Sequence, residues 1–141
     1  MRFWDASAVV ALVVSEKESS HCRRLLAEDN EVIVWYFTPV EVLSALARRL
    51  RENRLKIPDY RKAKGQLSTL ERAWSEVISL EVVRERARRL LENHPLRAAD
   101  ALQLAAALIV SEEKPADLSF VTLDQRLGRA ADKEGFKLLG A

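Results

Sequence analysis

Four carboxylates, Asp5, Glu41, Asp100 and Asp124, each interrupt or directly follow an apolar segment that reads as core, at points spread over nearly the whole chain. An acid beside buried apolar surface has to be hydrogen-bonded, paired or bound to a cation, because an isolated buried charge costs far more than a domain's net stability. Four of them from separated segments point to one shared acidic site holding a cation. Other familiar catalytic sets are missing. Two histidines, His21 and His94, and one cysteine, Cys22, do not make the usual zinc ligand sets. The glycines, Gly65, Gly128, Gly135 and Gly140, form neither a G-x-G-x-x-G nor a Walker loop, and no G-x-S-x-G elbow occurs. Hard oxygen donors remain, and they suit Mg²⁺ or Mn²⁺.

Each residue also has a plainer reading. Thr38-Pro39-Val40-Glu41 matches the S/T-x-x-E capping box, in which Glu41 would close its own helix. Asp124 is placed to cap the helix after it, and Ser7 is expected to cap the helix starting at Ala8. Asp100 has Arg97 three residues before it, a pairing worth only about 0.2–0.5 kcal/mol when exposed. Cys22 reads as a packed helix thiol.

The elements that must position these acids follow from the hydrophobic pattern. Short apolar runs, Arg2 to Asp5, Glu31 to Phe37, Glu76 to Leu80, Ser119 to Thr122 and Phe136 to Leu139, read as strands separated by longer amphipathic helices. The run from Val32 to Phe37 is apolar without alternation, as in a parallel strand covered on both faces. Helices open at Thr38-Pro39 and at Pro58, and Gly135 closes the one beginning near Asp124. The expected order is strand, two helices, strand, two helices, strand, two helices, strand, helix, strand: an α/β fold with a mostly parallel, about five-stranded sheet. In that frame Asp5, Glu41 and Asp124 fall at the carboxyl ends of strands, where open parallel sheets hold their ligands. Asp100 comes instead from a helix, Ala98 to Val110, that is apolar apart from Asp100 and Gln103. Their i, i+3 spacing puts those two on one face.

The chain's 141 residues suit one domain, 1–141. A lone cysteine fits a reducing, cytoplasmic setting, and the longest apolar run, Ala8 to Val14, is too short to span a membrane. The net charge of +2 is small, but Arg48 to Lys64 holds eight bases against two acids. Such a run is often a solvated helix face. Beside an acidic cation site it would position a phosphodiester backbone, and Arg51, Arg54 and Lys56 are the candidates. Tyr36, Phe37 and Tyr60 offer stacking surfaces, although Tyr36 and Phe37 are expected to pack in the core.

Four ordered motifs, Asp5-Ala-Ser7-Ala8, Thr38-Pro39-Val40-Glu41-Val42-Leu43-Ser44-Ala45-Leu46, Leu96 to Ala105 with Asp100 at its centre, and Thr122-Leu123-Asp124-Gln125-Arg126-Leu127, together resemble the PIN-domain proteins, in particular the single-domain VapC-type toxins. The resemblance spans the chain. It implies a three-layer α/β/α sandwich and an RNA-cutting pocket with one or two Mg²⁺ or Mn²⁺ ions. Asp5, Asp100 and Asp124 then carry over as metal-coordinating acids, Glu41 as the remaining catalytic acid, and Ser7 and Thr122 as polar support. It also implies a cognate antitoxin and a toxin homodimer. Trp4 departs from the pattern, which more often has a smaller aliphatic residue there. Two other readings stay open at this point: a PIN-like RNA-binding or scaffold module with little activity, and an aspartate-dependent phosphoryl-transfer domain. The latter lacks the D-x-D of the dehalogenase type, because Ser7 holds the second position.

Overall fold

Parallel neighbours oblige every connection to cross from one end of the sheet to the other, and here helices make each crossing. The computed structural model describes residues 1–140. Ala141, the last residue of the expected 1–141 domain, lies outside them. The strands β1 (Arg2–Trp4), β2 (Val32–Trp35), β3 (Ser75–Val77), β4 (Ser119–Thr122) and β5 (Lys137–Gly140) pair in parallel in the order β3-β2-β1-β4-β5. Between them run α1 (Ala6–Val13), α2 (Ser19–Glu28), α3 (Thr38–Arg51), α4 (Ile57–Ala73), α5 (Leu80–Asn93), α6 (Ala98–Val110) and α7 (Gln125–Glu134). The element order is the one the sequence pattern predicts.

The strand order explains the layering. From β1 the chain moves outward to β3, then restarts at β4 on the other side of β1. Right-handed crossovers progressing in opposite directions put their helices on opposite faces. Accordingly Trp4, Val32, Val34 and Val121 pack with α1 to α4, while Phe3, Ile33, Trp35 and Phe120 pack with α5 to α7. Successive residues of β2 thus enter different cores, which is why its sequence shows no alternation. Trp4 is fully buried in the first of these cores, its indole N–H without a hydrogen-bond partner.

Two apolar runs outlast their strands. Tyr36 and Phe37 leave the sheet to enter the turn into α3, where Phe37 is the N-cap residue and Pro39 sits in the first turn. Both rings are exposed, at 45% and 43%, and lie edge to face on one another, so the expectation that they pack in the core is corrected. Ile78 to Leu80 similarly leave β3, with Ser79 as the N-cap of α5. At the other end of the fold Gly135 terminates α7 at φ +106°, a left-handed conformation suited to glycine, and donates its N–H to the carbonyls of Ala131 and Asp132. Among the described residues no helix is long and apolar enough to cross a membrane.

Candidate active site

Strand order reverses between β1 and β4, and a crevice opens at the carboxyl ends of strands at such a switch point. Asp5 follows β1 and Asp124 follows β4 through Leu123. The Asp5 N–H donates to Val121 O at 3.1 Å, which continues the β1–β4 pairing one residue past the strand.

Asp5 is 3% exposed and heavily coordinated. Its Oδ1 accepts from Ser7 Oγ at 2.7 Å and from the Ala8 N–H at 3.1 Å, and its Oδ2 accepts from Thr122 Oγ1 at 2.9 Å. The bond from Ala8 makes Asp5 the N-cap of α1, which begins at Ala6, and corrects the expectation that Ser7 caps it. Ser7 lies inside the first turn, too late to cap, and its hydroxyl is spent on Asp5. Both hydroxyls also accept backbone donors from the other strand's loop: Ser7 Oγ from Leu123 N and Thr122 Oγ1 from Asp124 N, each at 3.0 Å. Serine and threonine each supply one donor and two acceptor positions, and these bonds lock Asp5 and the loop carrying Asp124 into one unit.

Asp124 caps α7, with Oδ1 accepting from Leu127 N at 2.9 Å, as its plainer reading predicts. Oδ2 has no protein donor and is free for another role. Glu41 behaves otherwise. Phe37 caps α3 without a side-chain bond, so no capping box forms. Glu41 Oε2 instead accepts from Gln103 Nε2 at 3.1 Å, and that amide also donates to Thr38 Oγ1 at 3.1 Å. Gln103 is 1% exposed on the single polar face of α6, one turn from Asp100 in the first turn. The sequence pattern marks that shared face. That Gln103 holds Glu41 depends on α3 meeting α6, which only the fold provides.

The four acids form one electrostatic set. Burial raises Asp5 to about 6 against the lowering effect of Ser7, Ala8 and Thr122, and the Asp124 charge raises it further. Burial likewise lifts Glu41 to about 7; Gln103 opposes the rise, and the charges of Asp5 and Asp100 add to it. Asp100 is raised by burial and by Asp124, with Arg97 and Arg126 pulling it down. Each acid therefore feels at least one other, and the pocket carries more negative charge than it stabilises by itself.

A hard cation fits this donor set. A carboxylate offers about four lone-pair positions, and Asp5 uses three of them on protein donors. Asp124 and Glu41 each use one and Asp100 none. Among the described residues no three His, Cys, Asp or Glu converge closely enough to enclose an ion by themselves. A cation here would therefore take only one or two carboxylates directly and keep several waters, as Mg²⁺ can.

The remaining candidates lie elsewhere. Arg54 and Lys56, in the turn between α3 and α4, line a separate crevice with Arg23, Asp59 and Lys62, and Arg54 is already paired with Glu52. Arg51 is exposed at the end of α3. Tyr60 is half-buried against the α1–α4 core. Cys22 is fully buried, and burial, assisted by Glu16 and Glu18, pushes its thiol up to about 11, so it is no nucleophile. Sequence reasoning missed Arg126 and Arg129, which line the same crevice as Asp100 and Asp124.

Known proteins resemble this chain over nearly its whole length. The PIN domain family model matches residues 2–133. Two curated relatives from Mycobacterium tuberculosis, Ribonuclease VapC45 and Ribonuclease VapC49, are each 30% identical over 146 residues, covering 99% of this chain and 94% of theirs. Among solved structures, FitAcB from Neisseria gonorrhoeae superposes with a TM-score of 0.66 at 15% identity, covering 99% of this chain and 96% of that one. VapC20 from Mycobacterium tuberculosis, described as a sarcin-ricin loop cleaving toxin, gives 0.65 at 18% identity, covering 96% of each. PAE2754 from Pyrobaculum aerophilum gives 0.64 at 22% identity, covering 97% of this chain and 81% of that one. At these identities the structures establish the three-layer α/β/α fold.

Proposed function

The chain belongs to the PIN-domain family, and from that premise we propose that it is a divalent-metal-dependent endoribonuclease, the toxin of a toxin–antitoxin pair. The observation that carries this reading is the meeting of Asp5, Glu41, Asp100 and Asp124 at the β1/β4 switch point, with acceptor positions left open. The ribonuclease names of the two full-length relatives support it.

Asp5, Asp100 and Asp124 would hold one or two Mg²⁺ or Mn²⁺ ions, directly or through water. Such an ion polarises a phosphoryl oxygen and lowers the pKa of water, so that hydrolysis can run at neutral pH. Ser7 and Thr122 fix the Asp5 carboxylate so that its remaining acceptor position keeps one direction. Glu41, with a pKa near neutrality and a single clamp from Gln103, is suited to take a proton from the attacking water. An aspartyl-phosphate mechanism is disfavoured, because both Asp5 oxygens are engaged by protein donors. A scaffold module with little activity would not need four acids whose repulsion disfavours the metal-free fold.

Purified protein incubated with total RNA should cleave it in Mg²⁺ or Mn²⁺ and not in EDTA. Absence of cleavage with the metal supplied would favour the scaffold reading. The raised pKa values add a second expectation. Burial raises Asp5 to about 6 and Glu41 to about 7; Asp5 must lose its proton to coordinate a cation, and the cation's charge drives the proton from the neighbouring Glu41. Mn²⁺ affinity should therefore rise by more than ~10-fold between pH 5.5 and pH 8, with protons released on binding. Calorimetry in two buffers of different ionisation enthalpy measures both; an affinity independent of pH would contradict the assignment.

The same proposal includes a cognate antitoxin that covers the pocket, a cytoplasmic setting and a homodimer. An apolar cluster at the carboxyl ends of β2 and β3, with Tyr36, Phe37, Val40, Ile78 and Leu80 all exposed, is the surface we assign to the second copy. Arg51, Arg54 and Lys56 would supply supplementary backbone contacts. Replacing all three with Gln should weaken binding to unrelated RNAs by similar, small factors of about 2–3, read by fluorescence anisotropy. Strong loss for one sequence alone would contradict that role.

A further inference from the structure

The acidic pocket has two unlike banks. On the β2/β3 side it is apolar, as just described. On the α7 side Asp100 and Asp124 share a crevice of about 580 Å³ with Arg97, Arg126 and Arg129. Arg126 and Arg129 also line the neighbouring crevice, which continues to Lys133 and His94. Arg126, Arg129 and Lys133 recur at spacings of three and four and so share one face of α7, spanning about 10 Å. The opposite face, Leu127, Ala130 and Ala131, is buried against the sheet, which fixes the basic face outward.

Charge pairing distinguishes this face from α5, and position distinguishes it from the α3–α4 run, where among the described residues only Arg49 and Arg54 are ion-paired and whose crevice is separate from that of Asp100 and Asp124. On α5, Arg84 and Arg88 pair with Glu85, and Arg86 pairs with Glu113 and Glu134. His94 takes the other oxygen of Glu134 at 2.6 Å. Glu134 is thereby turned away from its own helix's cations. Arg97, Arg126, Arg129 and Lys133 are all solvent-accessible, and none makes an ion pair or side-chain hydrogen bond among the described residues. Four cations without an ion-pair partner, two of which act at longer range on Asp100, begin at the acids and, with the small residue Ala99 in the crevice wall, suit an extended polyanion whose reacting phosphate must reach the carboxylates.

We propose that Arg97, Arg126, Arg129 and Lys133 form a phosphate-binding track that leads a single strand of RNA along α7 into the acidic pocket, a role that rests on the ribonuclease reading. The track positions the strand and does not read its sequence, because arginine and lysine on phosphates carry no base information.

The test compares two sets of three charge removals, Arg126→Gln/Arg129→Gln/Lys133→Gln and Arg51→Gln/Arg54→Gln/Lys56→Gln. RNA binding is followed by anisotropy with a short unstructured RNA in the Asp5→Asn background, and cleavage in the otherwise wild-type chain. The α7 set should weaken binding at least ~10-fold and flatten the dependence of log affinity on log salt by about 2, the value for three lost single-strand contacts. The RNA concentration for half-maximal cleavage should rise in parallel. The α3–α4 set should change each much less. If the wild-type chain cleaves RNA but the α7 set keeps wild-type affinity and salt slope, or if the α3–α4 set carries the larger loss, the track is overturned and the ribonuclease reading stands. In the first case the α7 face is a solvated or protein-binding surface. If the wild-type chain neither binds nor cleaves RNA, both fall.

Discussion

Asp5→Asn is expected to abolish metal-dependent RNA cleavage, a loss of more than about 1,000-fold, while leaving the metal-free fold more stable at pH 8. The substitution is gentle to the structure. Asn is as good an N-cap as Asp, so the bonds from Ala8 and Ser7 to Oδ1 survive. The new amide faces Thr122 Oγ1, whose proton can turn elsewhere. What disappears is a buried negative charge beside Asp124. Asp5 is raised from 3.8 to about 6, which corresponds to on the order of 3 kcal/mol. The favourable contribution of a raised acid is fully present below about pH 4 and is lost as pH rises through 6. In EDTA at pH 8 the variant should therefore melt a few degrees above the wild-type chain, and the gap should close toward pH 4. Equal cleavage by the two proteins would remove Asp5 from the mechanism. A variant melting well below wild type at pH 8 would mean that its charge is structurally required.

For Glu41→Gln the expected loss is at least ~100-fold in cleavage with the melting temperature unchanged or slightly raised. The amide oxygen introduced at this position can still accept from Gln103 Nε2, so the Thr38–Gln103 clamp persists. Relief from the Asp5 and Asp100 charges offsets any loss at that bond. The wild-type rate should increase with pH as Glu41 ionises, at a pH below its metal-free value of about 7 because the bound cation favours the charged form, and the variant's residual rate should lose that rise. Wild-type rates and an unaltered pH profile in the variant would leave Glu41 with no part in proton transfer.

How far the site was legible differs from residue to residue, for physical reasons. Asp5, Asp100 and Asp124 stand out because acids adjoining continuous apolar runs are rare, and parallel strands put the ends of β1 and β4 side by side. The i, i+3 polar pair on α6 was visible for the same reason. The capping box at Thr38 misled because a motif records local possibility only; Gln103, 62 residues from Glu41, competes for the same carboxylate and holds it. Ser7 and Asp5 exchanged roles through a helix beginning at Ala6, two residues earlier than expected, and helix boundaries are the weakest part of any pattern argument. Tyr36 and Phe37 belong to an unbroken apolar run, and nothing local marks the residue at which that run leaves the core. The α7 face was the least legible. Its periodicity could be seen in the sequence, but its lack of neutralising partners follows from Glu134 binding Arg86 and His94, an arrangement set by tertiary packing. The dense basic run of Arg48 to Lys64 drew attention instead, although Arg54 is paired and the run lies away from the crevice of Asp100 and Asp124.

Binding of Mn²⁺, followed by electron paramagnetic resonance at pH 8 in the absence of RNA, tests the cation site independently of catalysis. The wild-type chain should quench the free-ion signal at a stoichiometry of one or two, and Asp5→Asn and Asp100→Asn should each weaken binding by more than ~10-fold while remaining folded. Mn²⁺ bound equally well by all three proteins, or by none of them, would contradict the account.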